Sequence, residues 1–490
     1  MPMSPSFVRR AVLAMATLLP LGTAQSTVTL RAVHPDRFAA PNTFVNALAD
    51  VDRDGDLDLF VGFNGAPNRL YRNTDGTFLD VGQAVGLADA RPTRAAAFGD
   101  WDADGDADLL VGFAPGAGPV LRLYRNDAGR FADASAQAGL ALDSGAVRQP
   151  VWVDMDSDGD LDLFVAFRDR ANALFRNDAG RLTDIAAEVG LDDRRRSVGA
   201  VWADLDADGD LDVVVGNMDG DANGVFRNDG GRFTDVADAW GLAWGGRTPR
   251  DAGNGTVRPC VADVDRDGRL DLLTANYGTP GVFLAGAGGW RSVGAEWGIA
   301  VDGRYDSCVL ADLDHDGRLD LYLNGTVTQG KNWPDYLYRQ RDGRFENVTP
   351  DVLAAITADH GVQWNDLDGD GTADLALTGQ GPHALFANVL PDSVARRALR
   401  VRVLDAKGRA TRAGAEVRVY AAGTRELLAS ALVDAGSGYD AQSDAPVPLG
   451  LPRAGQVDLE VTWPANGTRR TTRVRGVRVD GRRVTEVRTR

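Results

Sequence analysis

The aspartates of this sequence recur with one strict spacing. The pattern Asp-x-Asp-x-Asp-Gly-x-x-Asp occurs seven times, and its copies start at Asp50, Asp100, Asp154, Asp204, Asp263, Asp312 and Asp366. Positions one, three, five and nine of every copy are carboxylates. Carboxylates brought within a few ångström of one another repel strongly unless a cation lies among them. The spacing therefore predicts a cation-binding loop in each copy.

Calcium is the cation that this set of donors favours. Ca²⁺ takes roughly six to eight oxygen ligands in loose geometry. Each loop can supply three monodentate carboxylates, the backbone carbonyl of position seven, a bidentate carboxylate at position nine and a water. Glycine at position six permits the positive φ of a sharp turn. Magnesium demands a tighter octahedron, and zinc prefers His or Cys, which the loops lack apart from His315 at a non-ligand position.

About seven calcium sites are therefore expected, and position seven contributes only its carbonyl. The predicted ligand residues are Asp50, Asp52, Asp54, Asp56 and Asp58; Asp100, Asp102, Asp104, Asp106 and Asp108; Asp154, Asp156, Asp158, Asp160 and Asp162; Asp204, Asp206, Asp208, Asp210 and Asp212; Asp263, Asp265, Asp267, Arg269 and Asp271; Asp312, Asp314, Asp316, Arg318 and Asp320; Asp366, Asp368, Asp370, Thr372 and Asp374.

An EF-hand is the main alternative for acidic loops of this kind. Its loop needs a bidentate Glu at position twelve and a helix on each side. Position twelve is valine in the first three loops (Val61, Val111 and Val165), and the flanking residues alternate as strands do. The EF-hand is therefore excluded. Ordinary solvated turns would not explain an aspartate at all 28 side-chain ligand positions.

The segments that must position these loops repeat with them. Successive loops start 49 to 59 residues apart. An apolar stretch such as Val201–Ala203 leads into each loop, and another such as Leu57–Phe63 leads out. A third strand carries near copies of Leu70–Asn73, and a fourth follows a Gly turn, as at Thr77–Val81. Four short strands in each of seven repeats predict an all-β fold, a seven-bladed β-propeller.

The seventh repeat lacks a fourth strand of its own. Its third strand is expected at Ala384–Phe386, and no further strand fits before Pro391. A surplus strand, Thr27–Val33, precedes the first loop instead. We expect it to complete the last blade and to close the ring without an open edge.

Charge is divided unevenly along the chain. Residues 397–490 hold 18 Lys and Arg against 10 Asp and Glu, a net charge of +8. Because the whole chain carries −17, the residues before them carry a net charge of −25. An acidic body of this kind excludes nucleic acid and anionic membranes as partners. It favours bound cations.

The N-terminus has the order of a secretory signal. Arg9 and Arg10 form a basic start, Ala11–Leu21 is apolar, and Gly22–Ala24 suits cleavage after Ala24. A twin-arginine signal is a minor alternative. The apolar run is shorter than the ~20 residues that span a bilayer, and no later segment is apolar enough. The predicted units are a signal peptide at 1–24, the propeller at 25–396 and a small antiparallel β-domain at 397–490.

The C-terminal unit alternates apolar and polar residues, as at Leu399–Val403 and Glu416–Val419, which predicts a half-buried antiparallel sheet. Asp480-Gly481 has the composition of a hairpin turn between Val474–Val479 and Val484–Arg488. The arginines around this turn are Arg473, Arg475, Arg478, Arg482, Arg483 and Arg488. They could bind an acidic glycan. We favour the alternative that they form a solvated face or dock on the acidic propeller.

Cys260 and Cys308 are the only cysteines, and they lie three and four residues before the loops of neighbouring repeats. A disulfide is permitted in an oxidising compartment. The one-residue offset would point the two side chains to opposite faces in a shared register. The sequence leaves both states open.

Little in the sequence predicts catalysis. It contains no Gly-x-Ser-x-Gly elbow, no His-Glu-x-x-His and no phosphate-binding loop. His360, just before the seventh loop, is a candidate acid–base group, but a structural role is favoured. The longest repeat includes residues 240–257, where Trp244, Arg247, Arg250 and Asn254 suit contacts with a ligand. A tolerated insertion explains that stretch equally well. We expect no catalytic residue and no enzymatic activity.

The seven loops resemble the FG-GAP repeat, also called the VCBS repeat, of integrin α-chain propellers. Residues 233–242 and 362–368 are similar to the cartilage acidic protein family. Four C-terminal segments resemble the ASPIC/UnbV domain that follows the propeller in that family: Ala413–Val419, Gly438–Ser443, Leu449–Leu451 and Val461–Pro464. Pro448 departs from the pattern, because the family usually has an aromatic there.

The resemblance implies a secreted, calcium-binding protein that mediates extracellular adhesion or interaction with a protein or glycan. A secreted hydrolase or lyase with a pocket on one propeller face is the alternative. We expect an exported monomer, located outside the cell, at its surface or in the periplasm. Its expected partner is an extracellular protein or glycan, and the resemblance does not name it.

Overall fold

The computed structural model describes residues 28–116, 118–244, 253–328, 330–356, 359–436 and 438–490. The signal peptide predicted at 1–24 lies outside the described residues, as do residues 245–252. The chain is almost entirely β, with 47% of residues in strands and 5% in helices. None of the described helices is long and apolar enough to cross a membrane.

Successive groups of four antiparallel strands, which we call blades, make up the first part of the chain. After β1 (Leu30–Ala32), the strands of the first four blades are β2 (Thr43–Ala49), β3 (Asp58–Phe63), β4 (Arg69–Thr74) and β5 (Thr77–Asp80); β6 (Thr93–Gly99), β7 (Asp108–Phe113), β8 (Leu121–Asp127) and β9 (Arg130–Asp133); β10 (Val147–Val153), β11 (Asp162–Phe167), β12 (Ala173–Asp178) and β13 (Arg181–Asp184); β14 (Ser197–Ala203), β15 (Asp212–Asn217), β16 (Gly224–Asn228) and β17 (Phe233–Asp235).

The remaining three blades follow the same plan. Their strands are β18 (Gly255–Ala262), β19 (Asp271–Gly278), β20 (Gly281–Leu284) and β21 (Arg291–Ser292); β22 (Gly303–Ala311), β23 (Asp320–Gly325), β26 (Tyr336–Arg341) and β27 (Arg344–Asn347), with β24 (Val327–Thr328) and β25 (Lys331–Asn332) as a side hairpin; and β28 (Asp359–Asn365), β29 (Asp374–Gly379) and β30 (Ala384–Asn388). Short helices connect blades: α1 (Gly82–Val85), α2 (Ser135–Ala138), α3 (Ala186–Val189), α4 (Ala237–Trp240), α5 (Asp351–Ala354) and α6 (Asp392–Ala395).

The first strand of each blade lines the centre of a closed ring. These strands contact one another in order, β2 with β6, β6 with β10, and so on to β28, which contacts β2. β1 pairs antiparallel with β30, with Leu30 opposite Asn388, and so supplies the fourth strand of the last blade. The expected all-β, propeller-like architecture and its closure by an N-terminal strand are confirmed.

Large apolar side chains fill the space between neighbouring blades. Trp101, Trp152 and Trp202, each within two residues of the first aspartate of a metal loop, are almost fully buried. The Trp152 ring lies against the backbone of the preceding blade at Gly99, where an added Cβ would stand 2.8 Å from the ring. Because interiors are packed to crystal-like density, only glycine fits at this contact.

Cys260 and Cys308 form a disulfide between the fifth and sixth blades, with their Cα atoms 6.3 Å apart. The offset argument against this bond fails for a structural reason. β18 and β22 belong to different blades and are not paired with each other, so they share no register that would separate the two side chains.

The C-terminal residues form two packed sheets. Their strands are β31 (Ala398–Leu404), β32 (Glu416–Ala421), β33 (Leu427–Leu432), β35 (Val447–Gly450), β36 (Gln456–Pro464), β37 (Arg469–Arg478) and β38 (Val484–Arg488), in the orders β35–β31–β38 and β33–β32–β36–β37. The buried core between them includes Val401, Val417, Leu459 and Trp463. The strictly antiparallel expectation is wrong at one pair, because β31 and β38 run parallel. Asp480-Gly481 therefore links two sheets and does not close a hairpin.

One segment of this domain enters the ring. We call residues 434–436 and 438–446 the axial segment. Its short strand β34 (Ala441–Gln442) pairs in parallel with β6, with Ala441 opposite Ala96. Other blades hold it as well, since Gln149 donates from Nε2 to the Ala441 carbonyl at 2.8 Å. The Trp202 amide donates to the Ala435 carbonyl at 3.1 Å.

Candidate metal centres

Each metal loop joins the first and second strands of a blade and is closed by its own aspartates. In the first loop, Asp50 Oδ2 accepts the Gly55 amide at 3.0 Å, and Asp54 Oδ1 accepts the Asp56 amide at 3.0 Å. The second contact recurs in all seven loops. Hydrogen bonds from the loop's own backbone amides to its aspartates therefore hold the turn in place.

Position nine anchors the loop to the blade. Asp58 accepts the Val51 amide on Oδ2 at 3.0 Å and the Asn73 amide on Oδ1 at 2.8 Å. The aspartates at this position in the other six loops accept the equivalent pair of amides. Because each oxygen has a second lone pair, both stay able to ligate a cation.

Position four adopts the left-handed conformation, which the aspartate spacing alone does not predict. The residues there are Arg53, Ala103, Ser157, Ala207, Arg266, His315 and Gly369, with φ between 56° and 72°. Glycine at position six was predicted to have positive φ, and Gly55 does at 100°. The one available signal was Gly369, because glycine replaces a side chain at position four only in the seventh loop.

The carboxylates of each loop converge on a common point. Ligand oxygens lie within 4.8 Å of one another in Asp50, Asp52 and Asp58, and equivalent trios occur in the second, fourth and fifth loops, while Asp154, Asp156 and Asp158 form the trio of the third. At position one, the Oδ1 atoms of Asp50, Asp100, Asp204, Asp263 and Asp366 are buried without a hydrogen-bond partner. A buried acceptor without a donor costs free energy that a ligated cation removes. The donor set therefore fits calcium.

Burial makes these carboxylates resist ionisation when no cation compensates them. Burial is the largest cause and neighbouring loop aspartates add to it, so that the pKa is raised to about 7 in Asp58 and Asp271 and to about 8 in Asp108, Asp162 and Asp212. At position one, burial raises the pKa of Asp100 to about 6 and that of Asp366 to about 7. A bound Ca²⁺ would reverse this by favouring the charged form.

Side chains at position seven bond mainly to groups outside the loop, although Arg269 also pairs with Asp267 and Thr372 Oγ1 also lies 2.6 Å from Asp370 Oδ1 within it. Asp56 Oδ2 accepts the Asp75 amide at 2.7 Å, and Asp210 Oδ2 accepts the Gly230 amide at 3.0 Å. In the seventh loop the Thr372 hydroxyl donates to the Asn388 carbonyl at 2.8 Å. Arg318 pairs with Asp342 at 2.8 Å. This arrangement agrees with a position that offers only its backbone carbonyl to the ion.

Neighbouring loops are linked by the asparagine of the third strand. Asn126 donates from Nδ2 to the Ala107 carbonyl of its own loop at 3.1 Å and to the Val51 carbonyl of the previous loop at 2.9 Å. Asn73, Asn177 and Asn388 make the equivalent pair or inter-loop bond, and Gln340 replaces asparagine in the sixth blade. The recurring asparagine of the third strand thus joins one blade to the next.

Arginines of the C-terminal domain cover the loop face. Arg412 lies 3.2 Å from Asp154, Arg469 3.2 Å from Asp204 and Arg400 3.5 Å from Asp366, all at position one of a loop. Arg409 reaches Asp160 at 3.1 Å. Docking on the acidic propeller is therefore real, but it uses other arginines than those predicted. The six around Asp480-Gly481 are exposed, and of these Arg473 pairs within its own domain with Glu460.

Two other predicted groups lie apart from the loops. His360 lies on β28, away from the metal centres, and contacts Asp306. In the stretch 240–257, Trp240 stacks on Trp290 with ring centroids 6.1 Å apart, and Asn254 is buried. Arg247 and Arg250 fall outside the described residues.

A propeller with an aspartate-rich loop in each blade is the class that this fold and these sites define. The chain belongs to the FG-GAP-like repeat family, whose model matches residues 50–111, 154–215, 204–274, 263–323 and 326–377. The ASPIC and UnbV model matches residues 406–485.

The chain is similar to two proteins named cartilage acidic protein 1. It is 26% identical to the Mus musculus protein over 337 residues, covering 66% of this chain and 50% of that one. It is 25% identical to the Xenopus tropicalis protein over 298 residues, covering 58% and 44%. The chain thus spans half or less of these relatives. Among solved structures, an Agrocybe aegerita lectin has a TM-score of 0.39 at 19% identity and covers 70% of this chain and 87% of its own.

Proposed function

We propose that the protein is an exported, calcium-binding interaction module that recognises an extracellular protein or glycan and catalyses no reaction. The observation that carries the calcium assignment is the buried Oδ1 atom without a partner at position one of five loops. Each of these atoms lies among other carboxylates, which only accept hydrogen bonds and therefore cannot satisfy it. Calcium is the hard cation that binds such a set of oxygens.

The positions of the loops favour a structural role for the metals. Position two of the first loop is bonded to the second blade through Asn126, and position one of the third loop is paired with the C-terminal domain through Arg412. Ions at these points would fix both the spacing of the blades and the seat of the second domain. Carboxylates saturated by calcium and by backbone amides are poorly placed to transfer protons.

The lining of the propeller axis also favours binding over catalysis. The alternative of a hydrolase or lyase needs a pocket along the propeller axis. The axial segment enters from the loop side and fills part of that space with Ala435, Ala441 and Gln442. The cavity of about 150 Å³ that remains beside it is lined mainly by apolar side chains, which are poorly suited to proton transfer. The relationship to proteins named cartilage acidic protein 1 supports an extracellular interaction role.

Calcium stoichiometry tests the proposal. The exported protein, desalted gently, should retain close to seven ions by elemental analysis, and excess chelator should lower its melting temperature until calcium is restored. Asp206→Ala should remove about one ion. Asp238→Ala, at an exposed aspartate outside the loops, is the matched control and should remove none. Two or fewer ions, or an unchanged melting curve in chelator, would reject the calcium assignment.

A further inference from the structure

One position of the repeat varies while its surroundings stay constant. Six residues before the first aspartate of each loop stand Phe44, Arg94, Arg148, Val198, Val257, Asp306 and His360. In every blade this residue falls within a break in the pairing register of the first strand. Such a bulge leaves the residue unpaired and re-aims its side chain. We call these seven residues the axial ring.

The axial ring surrounds the tip of the axial segment. Phe44, Val198 and Val257, from three different blades, share one buried cluster with Met218 and Tyr439. Because residues of three different blades meet in this cluster, their side chains lie near the propeller axis. At ~3.3 Å per strand residue, the axial ring lies roughly 20 Å from the metal loops, at the opposite end of the propeller axis. Tyr439, at the tip of the axial segment, is buried against the axial ring.

The residues of the axial ring include three groups of different chemistry. The second and third blades contribute the cations Arg94 and Arg148. The next two contribute an apolar wall, Val198 and Val257. The last two contribute a hydrogen-bonded pair, because His360 Nδ1 lies 2.7 Å from Asp306 Oδ2.

The arginine pair is only partly compensated, because its counter-charge is the buried carboxylate of Asp440 on the axial segment, which acts on both arginines without forming an ion pair. Arg94 lies over the Phe44 ring at 4.3 Å, and Arg148 donates to the Val147 carbonyl at 3.0 Å. Within the described part of the chain, neither forms an ion pair, whereas Arg91 and Arg195 on the same propeller do. Burial, and then the charge of Arg148, lower the pKa of Arg94. A bound anion would relieve both effects.

The histidine side of the ring is held rigidly. Tyr277 donates its hydroxyl to Asp306 Oδ1 at 3.0 Å. The His360 ring lies 4.7 Å from Phe44 and is stacked 5.8 Å from Tyr439. Because Nδ1 faces Asp306, Nε2 is the nitrogen left to meet a ligand. The rings of Phe44 and Tyr439 are buried beneath it, with Arg94 over Phe44 and His360 against both, so they support the site from below.

We propose that the axial ring binds an acidic saccharide, with its carboxylate or sulfate on Arg94 and Arg148 and a hydroxyl on His360. The site deepens the binding role proposed above and rests on it. It is built from both domains, because the propeller supplies the ring and the C-terminal domain supplies the floor at Tyr439.

Three sugars that differ only at carbon six test the site. Glucose, glucuronic acid and glucose 6-sulfate are titrated into the calcium-loaded full chain, with saturation-transfer NMR as the readout. At least one acid should bind at least tenfold more tightly than glucose, and comparing the two distinguishes a carboxylate from a sulfate. Equal binding of all three sugars, or of none, would overturn the proposal.

Variants locate the binding. Arg94→Gln and Arg148→Gln should each weaken binding of the acid at least tenfold, and His360→Gln should weaken it less. Arg232→Gln, at an exposed arginine of the fourth blade, should change nothing. Calcium content and melting temperature, measured on every variant, show that it is folded. Undiminished binding in Arg94→Gln and Arg148→Gln would overturn the proposal. Seven bound ions without acid binding would refute this inference and leave the calcium assignment standing.

Discussion

Arg412 of the C-terminal domain lies with its Nη1 3.2 Å from Oδ2 of Asp154, the first residue of the third metal loop. Asp154 is almost fully buried, and Arg412 is mostly so. The same carboxylate is a predicted calcium ligand. The arginine and the ion therefore share one negative charge, which couples domain docking to metal binding.

Arg412→Gln should destabilise the calcium-free protein more than the calcium-loaded one. Without the ion, Arg412 is the main positive charge beside Asp154, so its loss should cost about 1–3 kcal/mol in chelator. With calcium bound, the carboxylate stays compensated and the cost should be smaller. Melting curves with and without chelator measure both. Arg470→Gln, at an exposed arginine of the same domain, is the control. Equal losses under both conditions would show that the two charges act independently.

Asn126→Ala should weaken the junction between the first two blades. The change removes donors to the Val51 and Ala107 carbonyls and the acceptor of the Gly129 amide, all in buried surroundings. Each polar group left without a partner costs about 1–3 kcal/mol. The melting temperature should fall by several degrees, and the first loop should hold calcium less tightly. The exposed Asn64→Ala variant is the comparison, and identical melting of the two would contradict the assigned role.

The disulfide should stabilise the ring measurably. Joining Cys260 to Cys308 closes a loop of 48 residues, and removing such a crosslink costs about 2–4 kcal/mol. Thiol labelling of the unfolded protein should find no free cysteine. The Cys260→Ala, Cys308→Ala double variant should melt lower and should no longer respond to reductant. If reductant changed the melting of the wild type and of the double variant equally, the disulfide would be absent in solution.

Local spacing carried most of what the sequence could predict. The metal loops depend on residues within nine positions of one another, and the blades depend on strands that are neighbours in the chain. Closure by β1 could be inferred because a missing strand and a surplus strand match by count. These features need no knowledge of distant contacts.

Long-range packing carried what the sequence could not predict. Nothing in Ala441 or Ala96 indicates that the two pair inside the ring. Asp480-Gly481 indicates a chain reversal but not which sheet receives the next strand. The alternation around Arg473 indicates an exposed face, yet the docking arginines lie elsewhere. The axial ring was visible as a variable repeat position, and only the register break shows where those side chains point.

His383 provides a pH dependence that is separate from the metals. It is buried, with Nδ1 3.1 Å from the Ala40 carbonyl oxygen and Nε2 3.1 Å from the Tyr71 hydroxyl. Burial lowers its pKa from 6.5 to about 4. Because the unfolded chain takes up the proton first as the pH falls, the stabilisation present above pH 6.5 is lost progressively as the pH falls from 6.5 towards 4.

Replacing His383 with glutamine should remove this loss. Between pH 7.5 and pH 5, the free energy of unfolding of the wild type should fall by about 2 kcal/mol more than that of His383→Gln. Denaturant titrations in saturating calcium at both pH values measure the difference, and the shared aspartates cancel in it. His34→Gln, at an exposed histidine, should follow the wild type. If all three proteins lost stability in parallel, His383 would have to titrate at its ordinary pKa in the folded chain.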